Sequence, residues 1–176
     1  MARRHGRGIL PNGLAMAQLA AHREQCTLDD PSPATGIAAG SVIYTLDGAL
    51  PVEHLEVGDK IITRDQGAVR LRGIRARVIQ CDPIRFSQRS VSHACPQVDT
   101  VVPPDQKILI RDWRAQAFYG TSTALFPAQA LVDGCFAKQW HNVDMRVFDL
   151  VFDRPHIVYA DGLELSVEQQ HIHATV

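Results

Sequence analysis

The sequence predicts an all-β domain behind a short N-terminal arm, on three observations. Apolar runs rich in Val, Ile, Phe and Tyr recur at short intervals from Gly36 onward. Turn residues separate those runs, and no long helical period interrupts them. Strands of this length with frequent turns bury their apolar faces in a sandwich-like or barrel-like packing.

Residues 1–10 are rich in Arg and Gly and read as a mobile arm. Asn12 caps a predicted short helix through Gln25, whose apolar face (Leu14, Ala17, Ala20, Ala21) is thin in large side chains. The prolines and small polar residues of Asp29–Thr35 continue neither helix nor strand, so residues 1–35 form an arm and linker and residues 36–176 the domain. The predicted strands are Val42–Leu46, Lys60–Thr63, Val69–Ile79, Asp82–Ser87, Thr100–Val102, Lys107–Arg111, Arg146–Phe152 and His156–Tyr159. Turns fall at Asp47-Gly48, Asp65-Gln66-Gly67, Pro103-Pro104-Asp105 and Asp161-Gly162. Val52, Leu55 and Val57 with Gly58 directly after make a tight corner, and the polar stretch from Gln88 to Asp99 a long loop. The spacing of Pro51, Leu55 and Gly58 recurs at Pro127, Leu131 and Gly134, each copy following a β-run. Two copies of one strand–corner unit suggest a pseudo-twofold domain.

The 176-residue chain suffices for one domain with a real core. Its net charge of -1 argues against nucleic acid or an anionic membrane as a bulk partner. No apolar run is long enough to span a bilayer. Arg3, Arg4 and Arg7 are not followed by the apolar segment of a signal peptide, so a cytoplasmic location and reduced thiols are the expectation. None of Cys26, Cys81, Cys95 and Cys135 forms a C-x-x-C pair; Cys81, His93 and Cys95 are a weak metal-ligand set, and neither metal nor cofactor is expected.

Val52, Leu55, Gly58, Asp59, Ile61 and Thr63 together resemble the N-terminal block of the Hint (hedgehog/intein) domain. The run from Arg146 to Gly162 resembles its late block, Pro83–Phe86 with Val102–Ile110 a middle block, and Phe126–Gly134 the corner that follows. The resemblance, to the bacterial, non-splicing branch of that family, covers roughly Gly36 to Val167. It implies a flattened all-β horseshoe with internal pseudo-twofold symmetry.

It also implies a chemistry. A Hint domain rearranges the peptide bond before its first residue, where a Cys or Ser attacks the preceding carbonyl, because only there does the side chain reach its own upstream carbonyl through a small ring. A His in a Thr/Ser-x-x-His motif protonates the departing nitrogen, and a late-block Asp and His assist. Carried over residue by residue, the nucleophile position matches Gly36, which has no side chain. The donor His matches Gln106 and its Thr/Ser matches Pro103; neither supplies a titrating group. Asp149 and His156 match the late-block pair, and their spacing suits the two ends of a strand–turn with both able to face one cleft. The terminal His-Asn positions match Ser166 and Val167, which cannot cyclise. The expectation is a degenerate Hint domain, not an enzyme, serving as a structural or binding module whose former cleft takes a peptide or protein partner. The alternative is an autoprocessing domain that cuts near Thr35-Gly36 with non-standard residues.

Overall fold

In the computed structural model, residues 33–92 and 95–168 are described. They form antiparallel sheets with one helix among the described residues. The expected helix over Asn12–Gln25 lies outside them.

The strands are β1 (Ile37–Ala38), β2 (Val42–Thr45), β3 (Gly48–Pro51), β4 (Lys60–Thr63), β5 (Gly67–Arg70), β6 (Gly73–Cys81), β7 (Ile84–Phe86), β8 (Thr100–Val102), β9 (Lys107–Ile110), β10 (Ala124–Pro127), β11 (Ala137–Gln139), β12 (Val143–Val151), β13 (His156–Ala160) and β14 (Leu163–Val167). The helix α1 spans Trp113–Tyr119. The largest sheet runs β10-β9-β14-β13-β2-β4-β5, with β3 beside β2; β1-β12-β6 and β11-β7-β8 form two smaller sheets. The core is the alternating inward face of these strands, with Ile43, Ile61, Ile108, Val158 and Leu163 fully buried.

The repeated strand–corner unit is visible in three dimensions. Val42 pairs with Pro51 across β2 and β3, as Lys107 pairs with Pro127 across β9 and β10. Each proline leads into a short 3-10 turn, Val52–His54 in one copy and Ala128–Leu131 in the other. The first amide of each turn donates to equivalent carbonyls: Val52 N–H to Ser41 O and Ala128 N–H to Gln106 O, both at 2.9 Å. Leu55 and Leu131 are buried in both corners, and Gly58 and Gly134 both take positive φ, 110° and 75°. Around the central hairpin, β13 pairs with β2 and β14 with β9, which completes the approximate twofold.

Several expected elements differ. The run Val69–Ile79 is two strands, because the buried Leu71 exchanges backbone hydrogen bonds with the Gly58-Asp59 corner and interrupts the ladder. The expected Arg146–Phe152 strand starts earlier, at Val143, and Val57 is exposed rather than part of the apolar corner. The helix α1 was not expected; Asp112 caps it by accepting from the Arg114 amide, and Gly120 ends it in the left-handed conformation.

Candidate functional site

A cavity of about 580 Å³ lies where the chain enters the domain, lined by Pro33, Thr35–Ile37, Asp105–Lys107, Asp149 and Ser166–Glu168 among others. Three sequence elements build it. The segment Pro33–Gly36 lines it ahead of β1, the turn before β9 contributes Gln106, and β12 contributes Asp149.

The entering segment is held at each residue. Ala34 N–H donates to Asp105 Oδ2 at 2.9 Å, and Asp105 N–H donates back to Ala34 O at 3.2 Å. Arg77 Nη2 donates to the Thr35 carbonyl at 2.8 Å. Gly36 N–H donates to Gln106 Oε1 at 3.0 Å. The peptide bond between Thr35 and Gly36 is therefore gripped at both polar ends, its carbonyl by a guanidinium and its nitrogen by an amide oxygen.

Gln106 is buried, 4% exposed, and its side chain is fully used. Besides accepting from Gly36, it donates through Nε2 to Ser166 O at 2.8 Å and to Lys107 O at 3.2 Å. One amide thus joins the entering strand to the leaving strand. Gln106 directly precedes β9, at the end of a turn that its own N–H closes by donating to Pro103 O at 3.2 Å.

Asp149 is also buried, with 2% of its side chain exposed. Its carboxylate accepts from Arg77 Nε at 2.8 Å and from Arg75 Nη2 at 3.0 Å. The strand register explains the arrangement: Arg75 lies directly opposite Asp149 on β6, and Arg77 follows two residues on, pointing to the same face. A buried carboxylate needs such partners, since an unpaired charge is costly in the interior. Neither arginine was picked out from the sequence, although two Arg at period-two spacing on a predicted strand is a readable sign of an acidic neighbour across the sheet.

Gly36 is buried with φ of 118°, a region that side chains avoid. A Cβ added there would lie 3.0 Å from Val147 Cβ and 3.2 Å from Asp149 Oδ1. A side chain at this position would press against these two residues of β12.

Gly36, Gln106 and Asp149 therefore converge. His156 does not join them, contrary to the shared cleft expected from its spacing to Asp149. It is buried at the start of β13, where Nδ1 sits 2.7 Å from Asp65 Oδ2 and the ring packs edge-on against Phe152 at 5.4 Å. Asp65 accepts also from Ile157 N–H at 3.1 Å, so the pair ties the β4–β5 turn to β13. Burial acts to raise the Asp65 pKa, but the Ile157 amide and His156 outweigh it and hold the carboxyl below its ordinary range. Ser166 and Val167 both line the cavity, where the carbonyl of Ser166 takes the Gln106 amide.

Of the weak metal set, His93 lies outside the described residues. The Cys95 thiol donates to Gly162 O at 2.7 Å, and burial pushes its pKa up to about 11. Among the described residues no three His, Cys, Asp or Glu side chains converge on a metal-sized site. No helix among them is long and apolar enough to cross a membrane.

The model of the Hint domain matches residues 35–169. The solution structure of a bacterial intein-like domain from Clostridium thermocellum is similar in fold, with a TM-score of 0.53 at 15% identity over 77% of this chain and 99% of that one. A GSH-linked, splice-inactive variant of the AceL NrdHF class 3 split intein gives a TM-score of 0.50 at 10% identity, over 78% of this chain and 99% of that one. No curated protein matches the chain. The duplicated strand–corner unit, the sheet order and a family match covering most of the chain lead to one assignment: the chain belongs to the Hint domain family.

Proposed function

We propose that this Hint domain does not cleave itself at Thr35-Gly36 and acts as a structural or binding module that holds its own upstream segment in the former cleft. The observation that carries this reading is the packing at Gly36. Its φ of 118° and the 3.0 Å approach of Val147 make any side chain at this position strained and tightly packed. The loss of the nucleophile is thus built into the neighbouring residues and is not confined to one position. Gln106 supports the same reading. At the position that matches the family's proton donor it presents an acceptor oxygen to the Gly36 nitrogen, the opposite polarity to what a departing amine needs. Asp149, committed to two arginines, serves to hold Arg77 against Thr35.

The competing reading, autoprocessing with non-standard residues, draws on one feature. Arg77 donates to the Thr35 carbonyl, which is where a group stabilising a tetrahedral oxyanion would stand. The intact mass of the purified full chain, followed over hours with and without dithiothreitol or hydroxylamine, separates the two. An unchanged mass under all conditions is the expected result. A fragment boundary at Thr35-Gly36 would overturn the inert module.

A further inference from the structure

The strand β6 is nine residues long and lies at the outer edge of its sheet, with β12 on one side and no strand on the other among the described residues. Its pairing with Val143–Val151 is continuous from end to end, without a bulge. The direction of its backbone groups follows from the neighbouring ladder. Ala39 N–H donates to Arg146 O at 3.0 Å, so Arg146 and Phe148 turn their backbone groups toward β1. Successive residues of an antiparallel strand bond to opposite sides, so Met145, Val147 and Asp149 turn theirs toward β6. Their register partners there are Ile79, Arg77 and Arg75, which bond back to β12. Ile74, Ala76, Val78 and Gln80 therefore direct their N–H and C=O groups away from the sheet.

Such a row is a template for a further strand, and proteins usually blunt it with short length, proline, a bulge or charges along the edge. These devices are missing from β6. The strand is long, contains no proline, and exposes Val78 to 68%. Its charged side chains, Arg75 and Arg77, reach back over the sheet to Asp149 on β12 rather than across the edge.

Charge decides which strand fits. The stretch Arg70–Cys81 contains Arg70, Arg72, Arg75 and Arg77 and no acidic residue, in a chain whose net charge is -1. Two copies laid edge to edge would bring both sets of arginines together, and like charges across a ladder repel. On one face of an added strand, side chains lie beside Arg75 and Arg77, which share the one carboxylate of Asp149 and leave a net positive charge. On the other face they lie beside Ala76 and Val78, both apolar and exposed. An occupant that suits both faces alternates acidic with apolar residues.

We propose that the free edge of β6 takes an extended, acidic segment of a partner protein as an added strand, with acidic side chains beside Arg75 and Arg77 and apolar ones beside Ala76 and Val78. Main-chain hydrogen bonds supply the affinity and the alternating side chains the selectivity. The free edge lies on the far side of β12 from β1, and its pairing does not depend on whether the Thr35-Gly36 bond is cut.

Backbone amide spectra and amide exchange of the full chain test this, recorded with a capped peptide alternating Glu and Val and with its Lys–Val counterpart. Saturable shifts along β6 are expected with the Glu–Val peptide, at an affinity at least about tenfold above the Lys–Val peptide. Exchange is expected to slow at Ile74, Ala76, Val78 and Gln80, while Arg75, Arg77 and Ile79, already bonded to β12, change little. Val78→Pro removes only an outward N–H and is expected to weaken the Glu–Val peptide by about tenfold or more. Val78→Glu keeps the ladder to β12 and is expected to weaken the same peptide through lost apolar cover and added like charge. No saturable shift, equal affinity for the Lys–Val peptide, slowed exchange without the alternation, or unchanged binding by either variant would each overturn the proposal. So would slowed exchange at the outward amides that grows with concentration of the chain alone, since the occupant would then be a second copy.

Discussion

At Gly36 the backbone and the packing act together. Left-handed geometry at a residue with a side chain costs about 1–3 kcal/mol, and forcing a Cβ against Val147 adds a comparable overpacking term. Gly36→Cys is therefore expected to lower unfolding stability by about 2–5 kcal/mol in urea titrations and to yield no hydroxylamine-sensitive product. Adding Gln106→His restores a proton donor but not the space, so the double variant is expected to react only when Val147→Gly, which removes the Cβ that a side chain at 36 would meet, is added as well. Efficient cleavage by the single variant, read by mass, would show that Gln106 is not at the donor position. Gln106→Ala is expected to cost about 1–3 kcal/mol, since it strands the Gly36 N–H and the Ser166 carbonyl in a buried place. Faster amide exchange at Gly36 would mark the same loss locally. These residues could be singled out in the sequence because the resemblance matches a glycine and a glutamine to positions where the Hint pattern has reactive groups. Their arrangement could not. A positive φ at Gly36 and the filled space beside it depend on Val147, a residue distant in sequence whose side chain gives no local sign of its neighbour.

Elements were legible where their pattern was long or strongly β-branched. Lys60–Thr63 and Thr100–Val102 have the bounds the sequence suggests, and the Pro51/Pro127 echo marks a true structural repeat. Among the misses, β1 and β11 are short elements stabilised by partners remote in sequence, β12 and β7, whereas β14 pairs with its hairpin neighbour β13 as well as with the distant β9. The helix α1 is too brief to show a period, yet its caps Asp112 and Gly120 were on view. Asp112→Ala is expected to destabilise the chain by about 1 kcal/mol, measured by thermal or urea unfolding, because it removes the acceptor for the Arg114 amide. His156 misled for a related reason. Its spacing from Asp149 is right for two ends of a strand–turn, but the intervening turn sends it to the side of the sheet where Asp65 waits.

For the whole molecule, the carboxylates set the acid limit. Asp65, Asp112 and Asp133 all have folded pKa values held below the ordinary carboxylate range. The chief cause for Asp112 is the Arg114 side chain; for Asp133, burial pushes upward but the amides of Ala137, Cys135 and Phe136 prevail. A group whose pKa is depressed on folding contributes stability above its unfolded value, near pH 4, and loses it as pH falls through the lower folded value. Urea midpoints are thus expected to decline below about pH 4, and Asp133→Asn to flatten that decline. An acid limb of the same slope in the variant would show that Asp133 is not among its causes.

The single amide of Gln106, which accepts from Gly36 and donates to Ser166, has a geometric consequence for anything the domain carries. It brings the two backbone crossings of the cleft within about 8 Å of each other, the reach of two hydrogen bonds and one side-chain amide. Cargo fused ahead of Pro33 and beyond Glu168 is therefore delivered to one spot on the surface rather than to opposite poles. Short tethers from those points give the two passengers a mutual effective concentration in the millimolar range. Bringing two segments together in this way requires no bond to break.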